Sequence, residues 1–570
     1  MQKKWRVKKR IDSSVKNSFP EINSVTLQLL FNRGLDKKER IDDFLSAEYG
    51  FQNDPFLFSD MKKAVREIKL AIKEKKKITI YGDYDADGVT STAVLSSCLK
   101  DLGASCDIYI PDRESEGYGL NEEAIGILKK KGTDLIITVD CGISNYEEIR
   151  LAKKSGMEVI ITDHHHPPDN LPRCLIINPK ADKNYPFKEL AGVGVAFKLA
   201  QALFFEMVED KAKAEAKEKW LLDLVAVGTI ADCVPLIGEN RILTKYGVVV
   251  LNKTKRKGLG ALIKKSSLNP GEIGSYDVSF RLSPRINAAG RMKHANIAYK
   301  LLMSKTEAEA EEIAEGLNTA NSERQKITET AVKKIFKELG DNPGDKILFS
   351  LQEDCPAGIL GLVAGKISDY YNKPAFVFTK RENEIIGSGR SVENFNIIEA
   401  LGKMEKLFSH YGGHSQACGL TLKDDKLFDD FKAKMLEIAE KKLSKDDLIP
   451  VLNIDAEVKL SEVNWGLFED VCKFEPFGNN NVKPIFLTKN LKVLSSREVG
   501  QNGNHLKIFV SNYTEEANCS MDCIGFSLSE AWRGKLKTGD IINLVYQIDE
   551  NRWNGNRELQ LKIIDLKQAE

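Results

Sequence analysis

The chain has 570 residues, too many for one hydrophobic core, so its length predicts several domains. Its 42% hydrophobic and 29% charged residues are ordinary for a soluble globular protein, and no apolar run reaches transmembrane length. The formal net charge of +1 excludes a global basic field, so any nucleic-acid contact must come from a local basic lining.

The first ten residues carry Lys3, Lys4, Arg6, Lys8, Lys9 and Arg10 with no acid, which reads as a solvated terminal arm rather than a nucleic-acid contact. No signal-peptide apolar region follows, and the ten cysteines show neither zinc-site spacing nor a disulfide framework, so a reducing cytoplasm is expected. From about residue 77 to 180 short apolar runs (Ile78–Tyr81, Cys106–Ile110, Leu135–Val139, Val159–Thr162 and Leu175–Asn178) alternate with helical stretches. These runs are β-branched and nearly continuous, as buried parallel strands are, and predict a doubly wound parallel α/β sheet. Residues 192 to 230 read as helical, and 295 to 340, rich in Ala, Glu and Lys, as one long connecting helix or two. A second α/β pattern follows, with strands at Lys346–Ser350, Ala375–Thr379 and Glu384–Gly387, helices at Ile359–Tyr371 and Asn396–Phe408, and an amphipathic helix over 425 to 443. After residue 450 alternating runs, turn residues and three tryptophans (Trp465, Trp532 and Trp553) predict a small antiparallel β-barrel. The expected segments are therefore 1–75, an N-terminal arm and helical segment; 76–265, the parallel-sheet domain; 266–340, the connection with the long helix; 341–448, the second α/β domain; and 449–570, the barrel.

The strongest chemical signal is the run from Tyr81 to Gly88, which sets Asp83, Asp85 and Asp87 at alternate positions directly after a strand. Three carboxylates this close repel one another, and hard divalent cations are their natural partners. A calcium loop of the helix-loop-helix type would need Glu at its twelfth position, where this chain has Val94, and helical rather than strand flanks. Asp140 and Asp163 end two further strands, and His164, His165 and His166 follow at once. Ligands bind at the carboxyl ends of strands in open α/β sheets, so these groups should converge on one edge. Asp232 ends an apolar helix and reads equally as a turn residue or a ligand. Mixed carboxylate and imidazole ligands suit manganese, then magnesium, and zinc less well. A carboxylate-rich metal pair about 3.5–4 Å apart is a standard arrangement for phosphoester hydrolysis.

The aspartate triplet, Asp140, Asp163–His165 and Asp232, together with the flanks Pro111–Arg113, Glu116–Leu120 and Leu190–Phe197, resemble the motifs of the DHH phosphoesterase superfamily and, within it, the RecJ exonucleases. The resemblance runs from about residue 40 to 568. It implies that the 76–265 segment is the DHH catalytic domain, that the second α/β unit is a DHH-associated substrate-binding domain, and that the barrel is an OB fold entered through Phe474–Asn481. It also implies a ligand set: Asp85 and Asp140, with Asp83, for one ion, and Asp87, Asp140, His164 and Asp232 for the other, with His165 contacting the scissile phosphate or orienting a ligand. Many relatives carry His where this chain has Tyr81, and often a His at Pro356. Arg285, Asn287, Arg291, Ser388, Arg390 and His414 lie in segments resembling the substrate-binding ones, and Arg113 lies in a matching flank. Arginine offers phosphate a bidentate fork, and glycines let backbone amides approach it; salt bridging between domains is the other reading of Arg285 and Arg291.

The implied activity is removal of 5′-mononucleotides from single-stranded DNA by a monomeric enzyme, in repair and recombination, beside single-strand-binding protein and a helicase. The resemblance admits two alternatives: a small-substrate hydrolase of oligoribonucleotides or cyclic dinucleotides, against which the barrel argues, and a non-catalytic replication scaffold, against which the intact aspartates and His164 argue.

Overall fold

A computed structural model describes residues 3–381, 384–512, 519–553 and 555–569, the side chain of Trp553 excepted. The chain forms two compact units, residues 49–450 and residues 1–48 together with 451–570.

The larger unit is built on an all-parallel five-stranded sheet, whose strands lie in the order Cys106–Tyr109, Ile78–Tyr81, Leu135–Val139, Glu158–Thr162 and Leu175–Ile177. Every residue of Ile78–Tyr81 and Leu135–Val139 is buried, as expected of central strands covered on both faces. By chain rank the order is second, first, third, fourth, fifth, so the winding reverses between the first and third strands. That switch point is where doubly wound sheets open a crevice for ligands. Helix Ala86–Asp101 follows the first strand and packs against Gly192–Met207 and Leu222–Ala231. All three are apolar around most of their circumference, which suits helices enclosed in a core. Contact is close: a Cβ on Gly228 would lie 2.2 Å from Thr90 Oγ1 and 2.9 Å from Asp87 Oδ1.

The connection holds a short helix, Asn296–Leu302, and a 33-residue helix, Glu307–Leu339. The second lobe of this unit is a mixed sheet ordered Phe408–His414, Ala417–Leu422, Glu384–Arg390, Ala375–Arg381 and Leu348–Leu351, in which only the last pair is parallel. The helix expected over Asn396–Phe408 spans only Ile397–Gly402, and Phe408–His414 is a strand. Its partner strand buries Cys418, Leu420 and Leu422 at every second position, a period that fits a strand and not a helix.

In the smaller unit five strands close into a barrel. Phe486–Val499 pairs with both His505–Asn512 and Ile541–Trp553, and Ser520–Gly525 and Asn556–Gln568 complete the ring. The alternating apolar runs Leu491–Leu494, Leu506–Val510, Ile541–Gln547 and Leu559–Ile564 fall within four of these strands, and Ser520–Gly525 holds no such run. Trp532 packs on the barrel core, and half-buried Trp465 lies under the Arg557 guanidinium at 5.1 Å. The basic N-terminus is not a solvated arm. Lys4–Val7 pairs in parallel with Val451–Ile454, Trp5 Nε1 donates to Asp565 at 2.7 Å, and Lys8 pairs with Asp455 at 3.0 Å. Helix Ser24–Phe31 buries Val25, Leu27, Leu29 and Leu30 in the barrel's core cluster, while Arg33 donates to Asn481 Oδ1 and Val482 O. The expected 1–75 segment is thus divided: its first 48 residues belong with the barrel because an unpaired strand edge and an apolar helix face find their partners there.

Buried Asp455 ties this arrangement together. Its Oδ1 accepts from Lys8 and its Oδ2 from the Ile485 amide at 3.0 Å. Asp455→Ala leaves the part-buried Ile485 amide unmatched and returns the exposed Lys8 ammonium to water. It should lower stability by about 1–3 kcal/mol in urea unfolding of the full chain followed by tryptophan fluorescence.

Candidate metal centre

The residues singled out in the sequence converge at the switch point. Asp83, Asp85 and Asp87 follow the first strand, and Asp140 follows the third. Asp85 caps helix Ala86–Asp101, its Oδ1 accepting from the amides of Asp87 at 2.9 Å and Gly88 at 3.0 Å. Asp87 lies in the first turn of that helix and faces the N-terminus of Gly192–Met207, accepting from Gly192 N at 2.7 Å and Val193 N at 2.9 Å. Asp140 ends its strand with φ +61°, a left-handed conformation that a non-glycine residue adopts at a cost. A Cβ on Gly192 would stand 2.4 Å from Asp140 Oδ1, so only glycine leaves room for that carboxylate.

Asp163 and the two histidines after it divide their work. Asp163 is fully buried, and it accepts from Ile143 N, His164 N and His165 N, and also bonds His165 Nδ1 at 2.8 Å. Burial alone would raise its pKa, but the bond and charge of His165 outweigh it and hold Asp163 below the usual carboxylate value. His165 is raised in return, against its own burial. His164 instead turns Nε2 toward Asp140 Oδ1 at 3.2 Å and Asp232 Oδ2 at 3.6 Å. Burial, then the charge of His165, lowers its pKa to about 3, so it is a neutral imidazole at any physiological pH. Exposed Tyr118 reaches over His165, with its hydroxyl 3.0 Å from Nδ1 and 3.2 Å from the Asp140 carbonyl.

Asp83, Asp85 and Asp140 form one group whose ligand atoms all lie within 4.8 Å of one another, Asp87, His164 and Asp232 form a second, and Asp140, His164 and His165 form a third that overlaps both. Asp140 joins the first two through its contact with His164. Asp83 Oδ1, Asp140 Oδ1, Asp232 Oδ2 and both His164 ring nitrogens are buried and have no hydrogen-bond partner. Burial, then the neighbouring carboxylates, raises the pKa of Asp83, Asp140 and Asp232 well above the usual range and that of Asp87 to about 7. Orphaned acceptors in two mixed carboxylate groups, one with an imidazole, fit hard to borderline divalent cations. Asp232, ambiguous in the sequence, caps helix Leu222–Ala231 and turns its carboxylate into the second group. Tyr81 does not enter the cluster: it is buried, stacks on Tyr109 and donates to Gly119 O at 2.9 Å.

Arginines from the sheet domain, the connection and the second lobe gather near this centre, Arg113 within electrostatic reach of Asp83 and Arg291 of Asp85. Arg390 donates to Ser388 Oγ at 3.3 Å, and Gly361 makes room for the pair, since a Cβ there would lie 2.6 Å from Arg390 Nη2. Arg291 bridges the lobes by donating to Gly358 O at 2.8 Å, a carbonyl contact rather than a salt bridge. Arg285 is tied to Asn318 and to Arg281 O, and Asn287 Oδ1 accepts from Ala86 N at 2.9 Å. Arg113 lies on the Tyr84 ring at 4.9 Å. Exposed His414 ends its strand within electrostatic reach of the histidine run; desolvation, then His165 and His166, lowers its pKa. Burial, then Arg113 and Arg324, pushes Arg291 down to about 9, so these guanidinia repel one another. Among the described residues none of Arg113, Arg291, Arg324 and Arg390 forms an ion pair, a costly arrangement that an anionic ligand would relieve. Arg324 is not singled out in the sequence, because nothing in the long helix distinguishes it from a solvated arginine. Its Nε is buried without a partner. Lys180, also missed, lies within electrostatic reach of His164, Asp232 and His414.

Comparison with known proteins agrees with this layout. Residues 77–229 match the model of the DHH family N-terminal domain, 344–441 the DHHA1 domain, and 454–565 the RecJ OB domain. The single-stranded-DNA-specific exonuclease RecJ of Bacillus subtilis is 39% identical over 577 residues, covering 100% of this chain and 71% of that protein. RecJ of Escherichia coli is 32% identical, covering 96% of each. The crystal structure of RecJ in complex with Mn2+ from Thermus thermophilus superposes with a TM-score of 0.85 at 28% identity, covering 100% of this chain and 80% of that one.

The raised pKa values have a thermodynamic sign. Without a cation, folded Asp87 binds its proton up to about pH 7 whereas an unfolded Asp releases it near its usual value of 3.8, so the metal-free protein loses stability as pH rises through that window. A cation competes with those protons. Calorimetry should show Mn2+ raising the melting temperature more at about pH 8 than at about pH 6, with proton release on binding.

Proposed function

Because this chain belongs to the RecJ family of single-stranded-DNA-specific exonucleases, we propose that it is a metal-dependent exonuclease that removes 5′-mononucleotides from single-stranded DNA. The observation that carries the reading is the pair of ligand groups joined at Asp140, with orphaned buried acceptors, facing unpaired arginines. Asp83, Asp85 and Asp140 would hold one divalent ion and Asp87, Asp140, His164 and Asp232 a second. When bound, two such ions, manganese the better fit and magnesium the next, activate water and neutralise charge developing on the phosphoryl oxygens.

The chain's own residues do the rest. Asp163 fixes the tautomer and direction of His165, which contacts the scissile phosphate; Tyr118 braces the same ring. Arg390, Ser388 and His414 hold the 5′-terminal phosphate, and Arg113, Arg291, Arg285 and the free amide of Asn287 receive the phosphates beside it. Holding the terminal phosphate in the second lobe and cutting the next phosphodiester at the centre sets the polarity, because a 3′ end offers no terminal phosphate to that pocket. The leaving oxygen is then the 3′-oxygen of the terminal nucleotide. The barrel contributes single-strand binding, in keeping with its match to the RecJ OB domain. It also distinguishes this chain from small-substrate hydrolases.

Two outcomes test this. Mn2+-dependent digestion should release label from 5′-labelled single strands as mononucleotides at once, and from 3′-labelled strands only at the end; early 3′ release would reverse the polarity. Asp140→Ala should lower kcat by at least about 1,000-fold while leaving Kd for the strand within about threefold. Arg390→Ala should raise KM for 5′-phosphorylated strands and have a smaller effect on strands with a 5′-hydroxyl.

A further inference from the structure

One feature of the larger unit has no part in the centre just described. Tyr276 and Phe280 are each 63% exposed, the most exposed large hydrophobic side chains among the described residues, and their rings touch at 4.7 Å between centroids. They are four apart on a helical segment that begins at Ser275, makes one π-turn over Val278–Leu282 and continues as helix Ser283–Met292. That π-turn packs on Leu222–Ala231, the helix that ends at Asp232. The segment's next cationic side chains are exposed Arg281, loosely paired with Asp277 at 3.8 Å, and half-buried Arg285, which donates to Arg281 O. Farther along, Asn287 bonds the amide of Ala86, beside Asp85, and Arg291 bridges to the second lobe. An aromatic pair, two arginines and the metal centre therefore follow one another along a single helical axis. Phe280 and Asn287 are on the order of 10 Å apart at 1.5 Å per residue.

Leaving two contacting rings in water is unfavourable, and the surroundings say what covers them. Arg281 and Arg285 follow the rings along the helix, with Asp277 only loosely held by Arg281 at 3.8 Å; the line leads toward the centre proposed to cleave phosphodiesters, and flat rings beside guanidinia are how proteins grip single strands without reading sequence. We propose that Tyr276 and Phe280 are a base-stacking platform for the substrate strand downstream of the cleaved bond, with Arg281 receiving a phosphate beside them and Arg285 the phosphates between platform and centre. This rests on the reading that the substrate is single-stranded DNA. At about 3.4 Å per stacked base, the platform would engage roughly the third to fifth nucleotide from the 5′ end. It also favours single strands, because bases paired in a duplex do not offer their faces to a ring.

The test uses the full chain carrying Asp140→Ala, loaded with Mn2+, and 5′-phosphorylated strands with one 2-aminopurine moved stepwise from the 5′ end. Quenching should peak within that span and disappear in Tyr276→Ala/Phe280→Ala. It should also disappear in Tyr276→Leu/Phe280→Leu, which keeps apolar bulk and removes the π-face, and persist in Phe280→Trp. In the otherwise native enzyme the alanine pair should lose about tenfold more kcat/KM on a long strand than on a dinucleotide. Quenching that survives either double substitution, or equal losses on long and short substrates, overturns the platform. Failure of the native enzyme to degrade the long strand at all would instead overturn the parent reading, and the two failures are read in different proteins.

Discussion

Drawing Asp83, Asp85, Asp87, Asp140 and Asp232 to one buried switch point sets each carboxylate against the others, and much of the larger unit is arranged around that repulsion. Part of it is met locally. Asp85 is satisfied by the two amides it caps, and Asp87 by the two amides at the start of Gly192–Met207. Such helix N-termini favour negative charge. Asp83, Asp140 and Asp232 receive no comparable help and keep orphaned oxygens, so the unmet acceptors are concentrated where a cation would sit. The glycines follow from the same constraint. Gly88, Gly192 and Gly228 stand where a Cβ would strike Asp83, Asp140 or Asp87, so these close approaches need glycine, and two of them, Gly88 and Gly192, donate their amides to Asp85 and Asp87.

Arginines from the parallel-sheet domain, the connection and the second lobe carry the complementary imbalance. Arg113, Arg291, Arg324 and Arg390 are gathered without carboxylate partners, and burial, then the neighbouring guanidinia, lowers the pKa of Arg291 and Arg390. Two frustrated clusters of opposite sign could cancel by direct salt bridges, yet among the described residues the lobes exchange only Arg381 with Glu114, at the periphery. A phosphodiester chain resolves both: its anionic oxygens suit the arginines on one side and cation-loaded carboxylates on the other.

How much of this is legible in the sequence depends on the period of burial. Ile78–Tyr81 and Leu135–Val139 are continuous apolar runs followed at once by acids, so both the strands and the convergence of Asp83 to Asp87 with Asp140 can be read directly. Phe408–His414 cannot, because only its first residue is buried and the glycines near its end carry no side-chain pattern. Ser520–Gly525 is short and only partly buried. The N-terminal strand escapes because Lys4, Arg6 and Val7 are exposed even in the folded unit and only the half-buried Trp5 hints at a partner; its pairing is with a strand more than four hundred residues away, a contact no local pattern encodes. Arg324 escapes for another reason: an arginine in a charged helix has the same sequence signature whether it faces solvent or substrate. The division of labour between His164 and His165, implied only by the family resemblance, has its physical cause in the fold: it turns on which ring Asp163 can reach.

One anchor explains how the amides of Gly192 and Val193 keep their position against the charge they serve. A turn and a half further along the same helix, Lys198 is wholly buried and pairs with equally buried Glu239. Glu239 is further held by Asn53 and by the Tyr185 hydroxyl at 2.7 Å, and Lys198 donates to Asn53 O at 2.8 Å. A buried pair adds little net stability over well-packed apolar side chains, but breaking one partner of such a pair costs about 3–5 kcal/mol, because a charge is left alone. That asymmetry makes it a positional lock rather than a source of stability. Sliding or rotating Gly192–Met207 by one residue would break the network at Lys198 and misalign both amides from Asp87 together. The network therefore ties the register of the core helix to the geometry of the metal centre.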